Sequence, residues 1–400
     1  MREKSFKALY VHVPFCVRKC AYCDFASAAT RRDDPRMARY VDAIVSEIDA
    51  FASVGLLKDS LDTAYVGGGT PTLLGAHDLS RLISRIPRAR ELTFEANPDS
   101  LSDQVIEAAV ASGATRVSCG VQSLSDRELA SLGRIHTADV ARDRVRAVVE
   151  SPLDVSVDLM CAIPEQSDAS FASSLNEVIS WGVDHVSVYP LAIEEGTELH
   201  RRYEHEETPF NDEDVEAARM EIAERVMTEA GYVRYEVASY ARPHKRCAHN
   251  ISYWTGVPYL GLGTAASSMM GIDQYVLMRE LCPQLPKAPT NTRRVRLTVT
   301  SSATEIISDF RPSSLSFDLE YLTEQQAWAE DLMLSMRLTD GVDRSRFESC
   351  KDTLEDLLGL GLVEEAGNVI RPTHQGWLLG NELYGPIWDL AEGQVLEASC

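Results

Sequence analysis

The chain has 400 residues, which is enough for a sizeable hydrophobic core and for two domains. Hydrophobic residues make up 44% of it and charged residues 25%, the composition of an ordinary globular protein. The formal net charge of −22 disfavours nucleic acids and anionic membrane surfaces as partners, because both would repel an acidic protein.

The cysteines and the hydropathy indicate a cellular compartment. Nine cysteines are an odd number, and six of them are scattered along the chain. The apolar run near the start ends at Cys16, too short for a secretory signal, and no later segment is apolar enough for a transmembrane span. We therefore expect a cytoplasmic protein with free thiols, whose membrane contact, if any, is peripheral.

From residue 8 onward, short β-branched runs alternate with longer segments of helical periodicity. The predicted strands are residues 8–13, 64–66, 91–95, 116–121, 154–160 and 185–189. The predicted helices are residues 35–54, 77–86, 102–111, 126–131, 138–149, 169–181 and 212–230. Such alternation predicts parallel strands with right-handed crossovers. The predicted fold class is α/β, a partial (βα)6 barrel of the TIM type, with its chemistry at the carboxyl ends of the strands.

The rest of the chain has a different pattern. Residues 232–280 are predicted to extend the barrel, and the Pro-rich and then basic stretch 282–314 to be a connector with an edge hairpin. Two amphipathic helices, residues 324–337 and 344–358, and a hairpin wing at 359–370 are typical of a small winged-helix-like α+β domain. Plain packing against the barrel is the alternative. The predicted units are 1–240 (barrel), 241–315 (extension and connector) and 316–400 (C-terminal domain). The acidic charge disfavours DNA binding by the last unit.

Three cysteines, Cys16, Cys20 and Cys23, follow the first predicted strand at a C-x3-C-x2-C spacing. Three thiolates on one tight loop can hold three irons of a 4Fe–4S cube and leave the fourth iron open to an external ligand. A zinc loop is the alternative, but zinc sites usually add a second Cys or His pair, and none is evident in the sequence.

This segment, with Tyr-x-His-x-Pro-Phe before the cysteines, resembles the cluster loop of radical S-adenosylmethionine (SAM) enzymes. Within them it is similar to the branch that contains oxygen-independent coproporphyrinogen III dehydrogenase and the heme chaperone HemW. The dehydrogenase has a fourth cysteine where this chain has Phe25, which is the HemW pattern. The resemblance covers residues 9–263, with a weaker C-terminal match. It implies a radical SAM barrel, a 4Fe–4S cluster and SAM as cofactors.

The resemblance also implies which residues contact SAM. Gly68, Gly69 and Thr70, in GGGTPT, match the motif for the SAM amino group, and Arg134 matches the residue that pairs with its carboxylate. The other implied contacts are Tyr10, Glu95, Gln122 and Asp158, the last toward the ribose. The ordinary alternatives are a strand-to-helix turn for the glycines, a helix cap for Glu95 and a solvated surface position for Arg134.

A second distinctive segment is Ala248-His249-Asn250-Ile251-Ser252-Tyr253-Trp254. Imidazole is a common axial ligand of heme iron, and Tyr and Trp provide flat apolar walls. One His near two aromatics is by itself more often a packed loop. The H-N-x-x-Y-W pattern resembles the heme motif of HemW proteins, so we predict a heme site at His249, Asn250, Tyr253 and Trp254, with Cys247 as the rival axial ligand.

Together these features favour a heme chaperone that binds a 4Fe–4S cluster, SAM and heme and delivers heme to hemoproteins. The main alternative is an enzyme, the oxygen-independent coproporphyrinogen III dehydrogenase, which oxidatively decarboxylates propionate side chains. Another radical SAM enzyme is the third possibility. Departures from the family pattern at Cys161-Ala162 and after Gly263 affect the expected shape of the pocket.

Overall fold

The computed structural model describes residues 4–204, 212–392 and 396–400. Six parallel strands form the barrel wall, in the spatial order of the sequence. They are β1 (Ala8–Val13), β2 (Ser60–Gly68), β3 (Arg88–Ala96), β4 (Arg116–Gln122), β5 (Asp154–Cys161) and β6 (His185–Pro190). This confirms the predicted partial (βα)6 barrel. Several strands are longer than predicted, since polar residues at their ends still pair with neighbouring strands.

The sheet continues past both edges of the barrel wall. Beyond β6 come β8 (Ser239–Ala241) and β7 (Val233–Arg234). Beyond β1 come five more strands in chain order, which gives this sheet thirteen strands among the described residues. These added strands are β9 (Tyr259–Leu262), β10 (Ser267–Gly271), β11 (Arg294–Val299), β12 (Phe317–Leu322) and β16 (Leu396–Ser399). Strand β9 pairs parallel with β1, and the following strands pair antiparallel.

Helices connect the strands and cover the sheet. Those of the barrel are α1 (Pro35–Ser53), α2 (Gly75–Arg85), α3 (Asp103–Ala111), α4 (Asp126–Ser131), α5 (Ala138–Val149), α6 (Asp168–Ser180), α7 (Glu198–Tyr203) and α8 (Glu213–Glu229). Those that follow are α9 (Ala248–Trp254), α10 (Ile272–Leu281), α11 (Ala303–Ser308), α12 (Glu324–Ser335), α13 (Lys351–Gly359), α14 (His374–Leu378) and α15 (Gly380–Trp388). No helix of the described residues is both long enough and apolar enough to cross a membrane.

Local sequence explains the first helix. The Asp34 side chain accepts a hydrogen bond from the Arg36 amide and Pro35 occupies the first turn, so α1 begins there. Its buried residues recur at helical spacing, with Tyr40, Ile44 and Ile48 on one face. This face packs into the main core, which also receives the β-branched residues of the strands. The fold therefore carries the cluster loop between two rigid elements, β1 and α1.

The predicted connector with an edge hairpin is wrong in one respect. Residues 294–299 form β11, an inner strand between β10 and β12. Val295, Leu297 and Val299 point into the main core, whereas Arg294 and Arg296 alternate onto the opposite face. The two arginines made this segment look like a surface connector. In the structure their charges are neutralised by Glu330 of α12, a partner remote in sequence that the local pattern does not indicate.

The C-terminal helices enclose a second core, distinct from that of the barrel. Beside it lies a three-stranded sheet of β13 (Val342–Asp343), β14 (Val363–Ala366) and β15 (Val369–Pro372). Strands β14 and β15 form the predicted hairpin wing, which confirms the winged-helix-like outline. The predicted helix 344–358 begins later, because Arg344–Phe347 is a 3-10 turn and α13 starts at Lys351.

Candidate functional site

The three motif cysteines lie on the loop that follows β1, at the carboxyl end of the barrel strands. All three are free thiols and half-buried. The Thr70 hydroxyl donates to Sγ of Cys16 at 3.4 Å, and Nη1 of Arg134 donates to Sγ of Cys20 at 3.4 Å. Donors therefore already point at two of the three sulfurs, as they do at thiolate ligands of iron–sulfur clusters.

The cysteines border a cavity of about 140 Å³. Five of the residues predicted to bind SAM border it too: Gly68, Gly69, Glu95, Gln122 and Arg134. Thr70 lies beside it, in a smaller pocket shared with Cys20 and Arg134. Among the described residues, no three His, Cys, Asp or Glu side chains are placed to hold a metal ion in common. The fold thus gathers these predicted residues around one cavity without forming a closed metal site.

The glycines are required by packing inside the protein. Gly68 has φ of +105°, and a Cβ there would lie 2.4 Å from the His12 ring. A Cβ on Gly69 would lie 2.7 Å from the carbonyl oxygens of Val13 and Phe15, to which the amides of Gly69 and Thr70 donate. The glycines let β2 end directly against the start of the cluster loop. Their contact with SAM remains a prediction.

Glu95 lies on β3 and faces the cavity. Its carboxylate accepts hydrogen bonds from the Tyr65 hydroxyl at 2.9 Å and from the Gly68 amide at 2.9 Å. Burial raises the pKa of Glu95 to about 7, against these two hydrogen bonds, which favour the anion. The group therefore titrates near neutral pH.

Arg134 is held rigidly at the cavity. Its Nη2 donates to Oδ1 of Asn97 at 2.7 Å and to the carbonyl of Gly120 at 2.6 Å. Asn97 in turn donates to the Thr70 hydroxyl at 2.9 Å. Asn97 was missed by the sequence analysis, although it follows Glu95 closely in Phe-Glu-Ala-Asn-Pro. The surface alternative for Arg134 is wrong, since its guanidinium is enclosed by these partners.

Tyr10 and Asp158 do not border this cavity, and Asp158 lines a separate interior pocket. The Tyr10 hydroxyl is 3.0 Å from Nδ1 of His12, whose Nε2 is 2.9 Å from the carbonyl of Ala26. Because a carbonyl only accepts, His12 Nε2 carries the proton and Nδ1 accepts from Tyr10. Asp158 accepts from the Ser118 hydroxyl at 3.0 Å, and burial raises its pKa to about 6. Gln122, which does border the cavity, is the last residue of β4 and has a left-handed backbone with φ of +67°.

The predicted heme segment forms α9, which closes the opposite, amino-terminal end of the barrel. The Glu91 carboxylate, early in β3, accepts from the amides of Ala248 and His249 at 2.9 and 2.8 Å. Arg116, the first residue of β4, donates to the carbonyls of Lys245 and Arg246. Glu91 therefore takes the place of a local helix cap. Only its position at the start of a strand could have indicated this role.

His249 is 1% exposed and both of its ring nitrogens have partners. Nδ1 lies 2.9 Å from the Thr63 hydroxyl, and Nε2 lies 3.0 Å from the Tyr253 hydroxyl. The ring stacks on Tyr65, with centroids 5.1 Å apart. Burial lowers the pKa of His249 to about 3, so the imidazole is neutral. Cys247 is also buried, which raises the pKa of its thiol.

The remaining residues of the segment are more accessible. Asn250 lines a small interior pocket with Cys247 and Asp158. Trp254 is half-buried beneath the guanidinium of Arg337, 5.2 Å from the ring centroid. The predicted heme residues thus belong to one helix, and the predicted cluster residues to the other end of the barrel.

Comparison with known proteins adds to this geometry. Residues 10–178 match the model of the Radical SAM superfamily, and residues 322–379 match that of the HemN C-terminal domain. The heme chaperone HemW of Mycobacterium tuberculosis (strain H37Rv) is 32% identical over 383 residues, which cover 93% of this chain and 92% of that protein. The chain belongs to the HemW family of radical SAM proteins.

Other relatives extend the comparison. The heme chaperone HemW of Bacillus subtilis is 29% identical, over 95% of this chain and 98% of its own length. The structure of Escherichia coli coproporphyrinogen III oxidase (HemN), described as a radical SAM enzyme, superimposes with a TM-score of 0.76 over 98% of this chain and 91% of that one. At 21% identity this likeness shows the fold alone. The fold of a HemW family member is thus that of HemN.

Proposed function

We propose that this chain is a heme chaperone, which binds heme and passes it to hemoproteins. The observation that carries the proposal is the similarity to proteins named heme chaperone HemW over 93% and 95% of the chain. Phe25 supports it, since this residue is 62% exposed on the cluster loop, where the dehydrogenase pattern has a fourth cysteine.

The proposal includes two further cofactors at the cavity beside the cysteines. Cys16, Cys20 and Cys23 would hold a 4Fe–4S cluster, which supplies an iron that is open to an external ligand. The donors that point at the sulfurs fit thiolate ligands, because hydrogen bonds to charged acceptors are the stronger kind. Glu95 and Arg134 fit the ammonium and the carboxylate of the methionine part of SAM.

Heme is assigned to the segment of His249, Asn250, Tyr253 and Trp254. The neutral imidazole has a lone pair for iron, but in this conformation Thr63 and Tyr253 engage both nitrogens. Ligation by His249 therefore requires that at least the Tyr253 contact breaks and that α9 shifts. This makes heme binding conditional on a conformational change.

The deciding experiment is an anaerobic hemin titration of the reconstituted protein, followed by the Soret band. Wild type is compared with His249→Ala, with Cys247→Ser and with His77→Ala, whose side chain is 86% exposed and far from α9 in sequence. We expect saturable one-to-one binding, with a Soret band that is shifted or lost only in His249→Ala. A Soret band that changes only in Cys247→Ser would identify the Cys247 thiol as the axial ligand instead of His249.

A wild-type protein that binds no hemin would overturn the chaperone assignment. In that case turnover of coproporphyrinogen III by the reconstituted protein would support the dehydrogenase. The cluster is tested separately with Cys20→Ala, expected to lose iron and sulfide, beside Cys350→Ala, a cysteine of the C-terminal core, as control. Iron retained by Cys20→Ala would contradict the cluster assignment.

A further inference from the structure

A cavity of about 660 Å³ lies between the extended sheet and α12, and none of the residues predicted to bind the cluster, SAM or heme lines it. Its size falls in the range of sites for cofactors, and it is several times larger than the cavity beside the cysteines. One wall is the outward face of β10 and β11, and the other is the start of α12. We name it the α12 cavity.

Part of the wall of the α12 cavity is apolar and could contact a flat ligand. Met269 and Arg296 are directly opposed across β10 and β11, so both side chains stand on the face toward α12. Trp328 of α12 and Ile272 at the start of α10 also line the cavity and are half-buried. An indole and a thioether are polarizable groups that pack well on a conjugated ring.

Two arginines that line the same cavity have no carboxylate partner among the described residues. In the described part of the chain no carboxylate pairs with the guanidinium of Arg293 or of Arg346. Arg294, the third guanidinium of the lining, already pairs with Glu330 and Asp331. Two exposed acids, Asp273 and Glu324, line the cavity as well. Free guanidiniums are the groups that bind ligand carboxylates in bidentate fashion.

The α12 cavity adjoins the segment that holds His249. The Tyr253 ring packs on His249 with centroids 4.9 Å apart and on Tyr259 with centroids 4.6 Å apart. Tyr259 is the strand partner of Met269, which lines the cavity. Gly256, two residues beyond α9, also lines it and packs against Asp331. A row of rings thus leads from the buried imidazole to the cavity wall.

We propose that the α12 cavity is a porphyrin site, in which Met269 and Trp328 contact the macrocycle and Arg293 and Arg346 bind its two propionates. The proposal rests on the proposed function, because it names where a heme chaperone would hold its heme. It separates the site of the macrocycle from the end of the barrel that carries the cysteines. For His249 to reach a heme in this cavity, Tyr253, which packs against its ring, has to move aside.

The test is hemin binding by the full-length protein with Arg293→Gln/Arg346→Gln. Its matched control is Arg344→Gln/Arg371→Gln, which removes the same charge from two exposed arginines of the C-terminal domain that do not line the cavity. We expect at least tenfold weaker binding in the first variant and none of this loss in the control. The dimethyl ester of heme, which lacks propionate charge, should bind wild type as weakly as hemin binds the variant.

Two further variants report on the cavity directly. Asp273→Asn/Glu324→Gln, which removes its exposed carboxylates, should bind hemin more tightly than wild type. Trp328→Phe should lose the largest part of the tryptophan quenching that bound hemin causes. Far-ultraviolet circular dichroism and iron content show that each variant is folded and carries its cluster.

The outcomes separate the two proposals. Hemin binding that is equal in wild type and in Arg293→Gln/Arg346→Gln would overturn the α12 cavity site and leave the chaperone intact. Wild type without hemin binding would overturn the chaperone. The same variants would then be titrated with iron-free protoporphyrin, and binding that depends on the two arginines would support the cavity as a porphyrin site. Absence of that binding would overturn the site as well.

Discussion

Nε2 of His249 lies 3.0 Å from the hydroxyl oxygen of Tyr253, four residues later on the same helix. Two of the four residues that the sequence pattern assigns to heme are thus partners of each other in this conformation. An i, i+4 pair of this kind stabilises a helix, and here it also occupies the ring nitrogen that would bind iron.

Tyr253→Phe should therefore strengthen hemin binding if His249 is the ligand. The variant keeps the apolar ring but removes the hydroxyl, so the imidazole no longer has to break a hydrogen bond whose net contribution is about 1 kcal/mol. We expect a gain of about fivefold in hemin affinity, measured by Soret titration. Tyr259→Phe, on the ring that packs against Tyr253, is the control. A weaker affinity in Tyr253→Phe would contradict this prediction and would indicate that the hydroxyl itself contacts bound heme.

Arg134→Lys should weaken SAM binding by about tenfold or more. Lysine keeps the charge but cannot donate at once to Asn97, to the Gly120 carbonyl and to a ligand carboxylate. Isothermal titration of SAM into the reconstituted protein measures the change, with Arg127→Lys, an exposed arginine paired with Glu165, beside it. Unchanged SAM affinity in Arg134→Lys would remove this residue from the cofactor site.

SAM affinity should rise with pH through the pKa of Glu95. Burial holds that pKa at about 7, so the carboxyl is largely neutral below it and anionic above it, and only the anion attracts the cationic cofactor. Below the pKa, affinity should fall by up to about tenfold per pH unit. Glu95→Gln should abolish this slope, whereas Glu107→Gln, on an exposed position of α3, should retain it. A slope that persists in Glu95→Gln would assign it to another group.

The free energy of unfolding should fall as pH falls below about 6.5, in part because of His185. Burial lowers its folded pKa to about 3, so the unfolded chain binds a proton that the folded protein excludes. Between these two values one such residue contributes a loss of about 1.4 kcal/mol per pH unit. Denaturant titrations over this range should show a shallower slope for His185→Asn than for wild type and His77→Asn. Equal slopes would show that the folded His185 can take up the proton.

Much of the barrel could be predicted from the sequence, because its strands are local runs of buried β-branched residues between capped helices. Strand β11 could not, since Arg294 and Arg296 look like surface residues until Glu330 is placed opposite them. The cavity residues were predicted through a family resemblance. Asn97 was not predicted, because its side-chain amide links Thr70 to Arg134, two residues remote in sequence, and no local sequence pattern indicates such a role.

The position of α9 could not be predicted either. Its start is capped by Glu91, a residue more than 150 positions away, so nothing near His249 reveals which end of the barrel it closes. The family resemblance indicates heme binding for the segment of His249, whereas only the structure shows which residues surround its imidazole. The buried, fully partnered imidazole is a tertiary property.

The last strand, β16, pairs with β12, and Tyr321 is opposite Leu396. The chain therefore leaves the sheet at Leu322 and comes back beside the same point, so the C-terminal domain is attached by two neighbouring stems, as an inserted module is. Trp377 of the C-terminal domain is buried in the main core and its indole donates to the carbonyl of Val237, so the domain is also held to the barrel between the two stems. Removal of residues 396–400 would take away one stem and unpair the outer edge of β12.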